Sequence, residues 1–270
     1  MACATGCEKS NSANQNDNND QFGKLISSAT ITIMGEDYME YNFLYDQNNR
    51  LSKMDIQIND SYYPEPRHMT CSYTYTTNKI KMNVVGDDAY GSLNNDYIAE
   101  YLLNDATPYS CQREGDFEAN DFHIGNRESY VYENGYLKTR HVMYEDQSID
   151  PFSGEYVWKD GNIQSITYST FNNKQIVFSF IYDSRPDRSN LDLVKLLYYL
   201  NFYRGGHYTA DKTVFKGMSC KQLLKTYTLN KEETININYS LDKDGYVIEA
   251  IVTMNGSPYM ILSLQYKSLN

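Results

Sequence analysis

The chain has 270 residues, 24 Lys and Arg against 35 Asp and Glu, a formal net charge of −11, and 41% hydrophobic residues. That is enough apolar material for a core of one large β domain or two ordinary ones. The acidic balance excludes a nucleic-acid binder, which needs a basic footprint, and docking on anionic lipid through protein charge. No run approaches 18 apolar residues, so no transmembrane helix is expected. Tyrosine is the outlier, 27 residues against 10 Phe and 1 Trp. Its ring suits a pleated, half-buried surface and its hydroxyl reaches a polar partner, so strands should dominate.

The chain opens on a ragged segment, residues 1–22, before a single β domain over residues 23–270. Ala4-Thr5-Gly6-Cys7 resembles the end of a bacterial lipoprotein signal, in which small residues precede a Cys that is lipidated. From Glu8 to Asp20 the chain is almost all Ser, Asn, Gln and Asp. Such a run buries too little to offset ordering entropy and reads as a flexible tether. Lipid on Cys7 would then hold the domain at a membrane without spanning it. Cys71 falls in an expected strand and reads as a small buried hydrophobe, while Cys111 and Cys220 lie near loops where pairing stays open.

From Ile31 onward, apolar and polar residues alternate in period two. Tyr41, Phe43 and Tyr45 lead through the turn Asp46–Asn49 to Leu51, Met54, Ile56 and Ile58. The unit recurs: Tyr73 and Tyr75 through Asn78 to Ile80, Met82 and Val84; Tyr130 and Tyr132 through Asn134-Gly135 to Leu137. It recurs again with Tyr156 and Trp158 through Asp160-Gly161 to Ile163, and Ile237 and Tyr239 through Asp242–Gly245 to Val247. Asn-Gly and Asp-Gly tolerate the positive φ of tight hairpin turns, so these are hairpins with a mechanism. Asp242-Lys-Asp244-Gly245 is not a calcium loop, because Val247 stands where that loop needs its sixth-position glycine. Between Asp87 and Asn126 the repeat breaks and long loops are expected.

One segment departs from the strand rhythm. Asn190–Tyr203 reads as a helix capped by Asn190 and ended by Gly205-Gly206, apolar around most of its circumference. It either plugs the hollow of a curled sheet or covers one end of it. The fold expected is therefore mainly β, one antiparallel meander curled into a barrel-like or half-barrel sheet with one buried helix near 190–203.

The units Tyr41–Ile58, Ser129–His141 and Tyr239–Ile251 look like the Tyr-Asp type repeats of bacterial surface proteins. Together with Cys7, its tether and the late helix, they give a chain that resembles, from Ser27 to Asn270, a Bacteroidetes lipoprotein family of unknown function with a porin-like fold. The resemblance implies an antiparallel barrel-like sheet, a cell-envelope location at the outer membrane, and no catalytic residues to carry over. Strands that cross a membrane need about 9–11 residues and a lipid-facing apolar band. The runs here read shorter, with polar residues crowding their ends, so a water-facing sheet is expected.

Chemistry is thinly signalled. His68, His123, His141 and His207 are scattered, without zinc spacing, and neither a nucleophile elbow nor a P-loop occurs. The oxygen-rich run Glu114–His123 suits a hard cation in type, but acidic loops are ordinary surface in so acidic a chain. No cofactor and no metal are expected, and no catalytic residue is nominated. The binding candidates are aromatics in expected loops: Tyr62, Tyr63, Tyr109, His207 and Tyr208, able to stack on a ligand while donating hydrogen bonds. The function expected is non-enzymatic binding of a ligand or an envelope protein through loops and exposed tyrosines. The alternatives are a hydrolase with its site in the barrel mouth and a purely structural surface component.

Overall fold

The computed structural model describes residues 23–33, 37–59, 65–87, 96–104, 107–115, 126–145, 151–169, 175–190, 220–230 and 232–269. The expected helix lies, beyond Asn190, outside the described residues. Sixteen strands follow one another: β1 Lys24–Ile33, β2 Asp37–Tyr45, β3 Leu51–Asn59, β4 Arg67–Tyr75, β5 Lys79–Asp87, β6 Tyr97–Asn104, β7 Thr107–Gly115 and β8 Arg127–Glu133. The second half adds β9 Tyr136–Met143, β10 Phe152–Lys159, β11 Asn162–Ser169, β12 Gln175–Pro186, β13 Gln222–Leu229, β14 Glu233–Leu241, β15 Val247–Met254 and β16 Ser257–Ser268. Each pairs antiparallel with its sequence neighbours, and β1 pairs with β16, so the sheet is a closed barrel and leaves no edge strand. The stretch expected to hold long loops, 87–126, contains β6 and β7. Tyr97-Ile-Ala-Glu-Tyr-Leu-Leu alternates only weakly, and Pro108 interrupts the next run, so period two was faint there.

The tight turns form where the residues permit them. Asn134-Gly135, Asp160-Gly161 and Asn255-Gly256 all have positive φ at both positions, 53 and 79°, 54 and 81°, 52 and 82°. This twist matches that of the flanking strands, which is why Asn or Asp followed by Gly closes the hairpin. Asp46–Arg50 and Asp242–Tyr246 are two copies of a longer turn. In each, one Asp carboxylate oxygen accepts two backbone N–H groups, at 2.9 Å throughout. The other oxygen of Asp242 takes Lys24 Nζ at 2.7 Å, so this carboxylate is committed to turn and ion pair.

The wall has opposite faces of opposite character. Inward side chains such as Tyr41, Met54, Ile56, Met82, Tyr101, Tyr227 and Leu262 belong to one continuous apolar cluster and are at most 1% exposed. Outward positions between them hold Asn42, Lys53, Asp55, Ser72, Lys81, Glu100, Thr167, Asn236 and Ser263, all half-buried or exposed. A sixteen-strand porin wall shows lipid its apolar face and encloses water. Here the polarity is reversed, and the described inward core residues are buried. The strands run to 7–12 residues. Seven of the sixteen strands fall short of nine residues, so strand length does not by itself match a membrane barrel, and face polarity is what sets this wall apart.

Candidate functional site

The meander gives the barrel two unlike ends. One carries the short connections 46–50, 76–78, 105–106, 134–135, 160–161 and 242–246, the long connection 187–221, and both ends of the wall, where Leu269 N–H meets Gly23 O at 3.1 Å. The other carries 60–66, 88–96, 116–126 and 144–151. These are called the turn end and the loop end.

At the turn end, strands joined through the loop end part company before they finish. The β3–β4 ladder stops at Lys53 and Ser72, although β3 begins at Leu51 and β4 runs to Tyr75. Tyr75, three residues beyond the last pair, lays its half-buried ring in the gap and donates its hydroxyl to Leu51 O at 2.7 Å. The same device closes four more seams. Tyr45 donates to Ile26 O at 2.7 Å, Tyr239 to Leu224 O at 2.7 Å, Tyr266 to Val247 O at 2.8 Å, and Trp158 Nε1 to Leu137 O at 2.7 Å. Each donor lies three residues past the last paired residue, and each acceptor two before it. The aromatic-x-aromatic repeat is therefore a core residue followed by a latch. Burial pushes Tyr45 up to about 12, against the Asn190 hydrogen bond, and raises Tyr75 and Tyr266 further.

Three seams differ. β5–β6 pairs to its end, with Leu103 N–H reaching Asn78 O at 2.8 Å. At β11–β12 Tyr182 turns to Cys220 Sγ at 3.2 Å, while Asn162 and Gln222 exchange two hydrogen bonds of 2.9 and 3.0 Å. At β7–β8 the ladder is three pairs, Ser110 to Gln112 against Ser129 to Arg127. By the spacing rule Tyr132 should donate to Pro108 O. Its hydroxyl is buried and has no hydrogen-bond partner among the described residues. Beside this open seam stand Tyr109, Val131 and Leu102, 47%, 49% and 39% exposed on adjacent strands.

The loop end carries the charged side chains buried inside the wall. Arg113 on β7 donates from Nη1 to Glu128 Oε1 at 2.7 Å. Arg140 on β9 grips both carboxylate oxygens of Glu128 at 2.6 Å, and Tyr130 donates to Oε2 at 2.7 Å. Their charged side chains are 1–3% exposed. Burial opposes the charge of Arg140, but the Glu128 carboxylate against it holds its pKa well above the usual value. Burial and the same carboxylate raise Tyr130. The cluster ties β7, β8 and β9 together where the β7–β8 ladder is short.

Of the residues the sequence nominated, Tyr109 is exposed on the outer wall at the turn end, beside the open seam. Tyr62, Tyr63, His207, Tyr208 and Cys7 lie outside the described residues, as do His123 and most of the acidic run after Glu114. His68 and His141 are exposed on the outer wall, His141 Nδ1 at 2.9 Å from Ser153 Oγ. Cys71, Cys111 and Cys220 are buried, and Cys111 and Cys220 do not form a disulfide with each other. Among the described residues, no three His, Cys, Asp or Glu are placed to hold a metal. Sequence reasoning missed Arg113, Glu128 and Arg140. The signal available was a charge at the inward phase of an alternating strand, visible for Glu128 and Arg140 around Tyr130.

No sequence family matches this chain, and no curated protein does. Solved structures do. A porin-like protein from Bacteroides uniformis superposes with a TM-score of 0.66 at 14% identity, over 90% of this chain and 98% of that one. A porin-like protein from Bacteroides vulgatus gives 0.61 at 13%, over 91% and 100%. The porin-like fold read from the repeats is thus the fold of the chain.

Proposed function

We propose that this chain is a non-enzymatic cell-envelope protein, tethered to a membrane by lipid on Cys7 and binding a ligand or partner protein through its barrel ends and exposed tyrosines. The observation that carries this reading is the inverted wall, polar outside and sealed with apolar side chains inside. A Lys or Arg at the midplane of a lipid-facing barrel costs about 2–4 kcal/mol, and Lys225, exposed in the middle of β13, is one of several outward charges. Such a wall favours water on its outer face and leaves only its ends and seams for work. The Bacteroides neighbours support an envelope setting, and Cys7 followed by a polar spacer supplies the means of attachment.

The outward placement of His68 and His141 weighs against a hydrolytic site in the mouth. Metabolic labelling with alkyne-palmitate in the source cells tests the anchor. Label and membrane fractionation are expected for the wild type, and loss of both for Cys7→Ser; label retained by the variant refutes it. Envelope extracts passed over the full-length Cys7→Ser chain, together with glycan arrays, test binding, and silence across both counts against it.

A further inference from the structure

We infer that the turn end is the face the barrel sets against a membrane, docking through its lysines and arginines on anionic phospholipid headgroups. The net charge of −11 speaks against anionic lipid only as an average over the chain, and the fold sorts the charges by end. At the turn end Lys138, Lys159, Arg188, Lys221, Lys243 and Lys267 are all exposed. The exposed carboxylates described there are Glu133, Asp160 and Asp244, and two are already met, Glu133 by Lys138 and Asp244 by Lys24. The half-buried Asp46, Asp183 and Asp242 are held by Arg50, Arg185 and Lys24. Lys159, Arg188, Lys221 and Lys243 make no ion pair with any described carboxylate. The loop end has the opposite character. Glu65, Asp96, Glu114, Glu145 and Glu232 are exposed there, and Arg127 is the one exposed base among the described residues.

The two ends are electrically separate. A nine-residue strand such as β3 rises about 3.3 Å per residue at a tilt of about 40°, so the rims stand about 20–25 Å apart. The Debye length at physiological salt is about 8 Å. Carboxylates at the loop end are therefore screened from whatever the turn end touches. A surface that meets the barrel end-on at this rim senses the basic side chains, and the acidic total of the chain does not reach it.

Two features select a membrane as the occupant. The bases are spread round the rim, from Lys138 on β9 and Lys159 on β10, past Lys221 before β13 and Lys243 in the β14–β15 turn, to Lys267 on β16. That distribution suits a flat charged surface. The wall also begins at this end. Gly23 O accepts from Leu269 N–H at 3.1 Å, and Gly23 N–H donates to the Tyr246 hydroxyl at 2.9 Å. Arg188 lies close by, donating to Asp244 O at 2.9 Å. Resting on the lipid anchor proposed above, the chain from Cys7 to Gly23 spans about 20–25 Å as a coil, so an anchored molecule keeps this end the nearer to the bilayer. Each lysine close to an anionic surface strengthens binding about fivefold. The rim thus orients the barrel, with the acidic loop end turned away from the membrane.

Flotation of the full-length Cys7→Ser chain with lipid vesicles tests the assignment without help from an anchor. Binding is expected to equimolar phosphatidylglycerol and phosphatidylcholine at low salt, with loss at high salt and on pure phosphatidylcholine. Lys243→Gln should weaken the Kd about fivefold, and Lys159→Gln, Lys221→Gln and Lys243→Gln together about a hundredfold. Arg127→Gln, which removes a like charge at the loop end, should leave it unchanged. Near-ultraviolet circular dichroism verifies that the triple variant is folded, and the single variant at an exposed turn position carries the test if it is not. Absence of binding to the anionic vesicles, equal binding to pure phosphatidylcholine, or full binding by the Lys243→Gln chain overturns the docking face. Loss of affinity in Arg127→Gln equal to that in Lys243→Gln overturns its place at the turn end. The anchor itself stands or falls separately, on the palmitate label at Cys7.

Discussion

Replacing the latch tyrosines by phenylalanine isolates one hydroxyl while keeping the ring that fills each gap. In Tyr75→Phe, Arg50 still lies over an aromatic face, 4.4 Å from the centroid, so the cation–π contact is kept. What is lost is a 2.7 Å hydrogen bond to Leu51 O, a carbonyl past the end of its ladder. A buried carbonyl left unsatisfied costs about 1–3 kcal/mol, and an exchanged hydrogen bond about 0.5–1.5, so about 1–1.5 kcal/mol is expected. Tyr239→Phe should cost the same at its own seam, and the two together about 2–3 kcal/mol, since sites that share no partners add. Tyr132→Phe is the internal control. Its hydroxyl has no hydrogen-bond partner among the described residues, so stability should stay within about 0.5 kcal/mol or rise. Urea unfolding followed through Trp158, the sole tryptophan, packed 4.7 Å from Tyr136 at another latch, reads all four proteins. The reasoning fails if Tyr132→Phe costs as much as Tyr75→Phe, or if Tyr75→Phe unfolds at the wild-type midpoint.

Further outcomes follow from the same geometry. Tyr45, Tyr75, Tyr239 and Tyr266 all have pKa values raised by burial, so the stability they contribute is whole below the unfolded value near 10 and is lost as pH climbs from there through the raised folded values. The absorbance of tyrosinate at 295 nm should therefore lag until the barrel opens and then appear cooperatively; smooth titration near pH 10 with circular dichroism intact would contradict this. Glu128→Gln removes the carboxylate that two buried arginines share and should cost about 3–5 kcal/mol, read as a shift in urea midpoint. Gly154→Ala would place a Cβ 2.8 Å from Tyr168 Cε1, a ring only 2% exposed, and should cost about 1–3 kcal/mol in the same assay, with little change at neighbouring Ser153→Ala.

Much of this wall was legible in the sequence because its repeat is short-range. Period-two alternation, Asn-Gly and Asp-Gly pairs and paired aromatics each report on a few neighbouring residues, and they located β2 to β5, β8 to β11, β14 and β15 with their turns. Closure was not legible. Whether a meander ends as a half barrel or a barrel depends on β1 meeting β16, over 200 residues apart. The role of the second aromatic was hidden for the same reason: Tyr75 finds its acceptor 24 residues back, across a seam whose splay no local pattern encodes. Even the odd phase in Leu51–Met54 had a cause that only pairing reveals, a register shift where the hairpin bulges beside Tyr45. Tyr109 was nominated for its exposure in a loop. It is exposed, but on a strand, next to a seam defined by a missing hydrogen bond at Tyr132.

The inverted wall separates two properties that a porin-like architecture usually carries together. Closure satisfies the backbone in any solvent, since every strand has two neighbours. Which solvent the wall faces is written only in the side chains, and a strand's period of two lets one set of backbone bonds carry either polarity. With the faces as they are, apolar burial drives closure, and the cost shifts to the ends, where strands splay and carbonyls lose their partners. The latches answer that cost at five seams, and Glu128 with its arginines binds the three strands around the shortest ladder. A wall stabilised this way can carry one seam without a latch, because the ion cluster at the loop end secures β7 to β8.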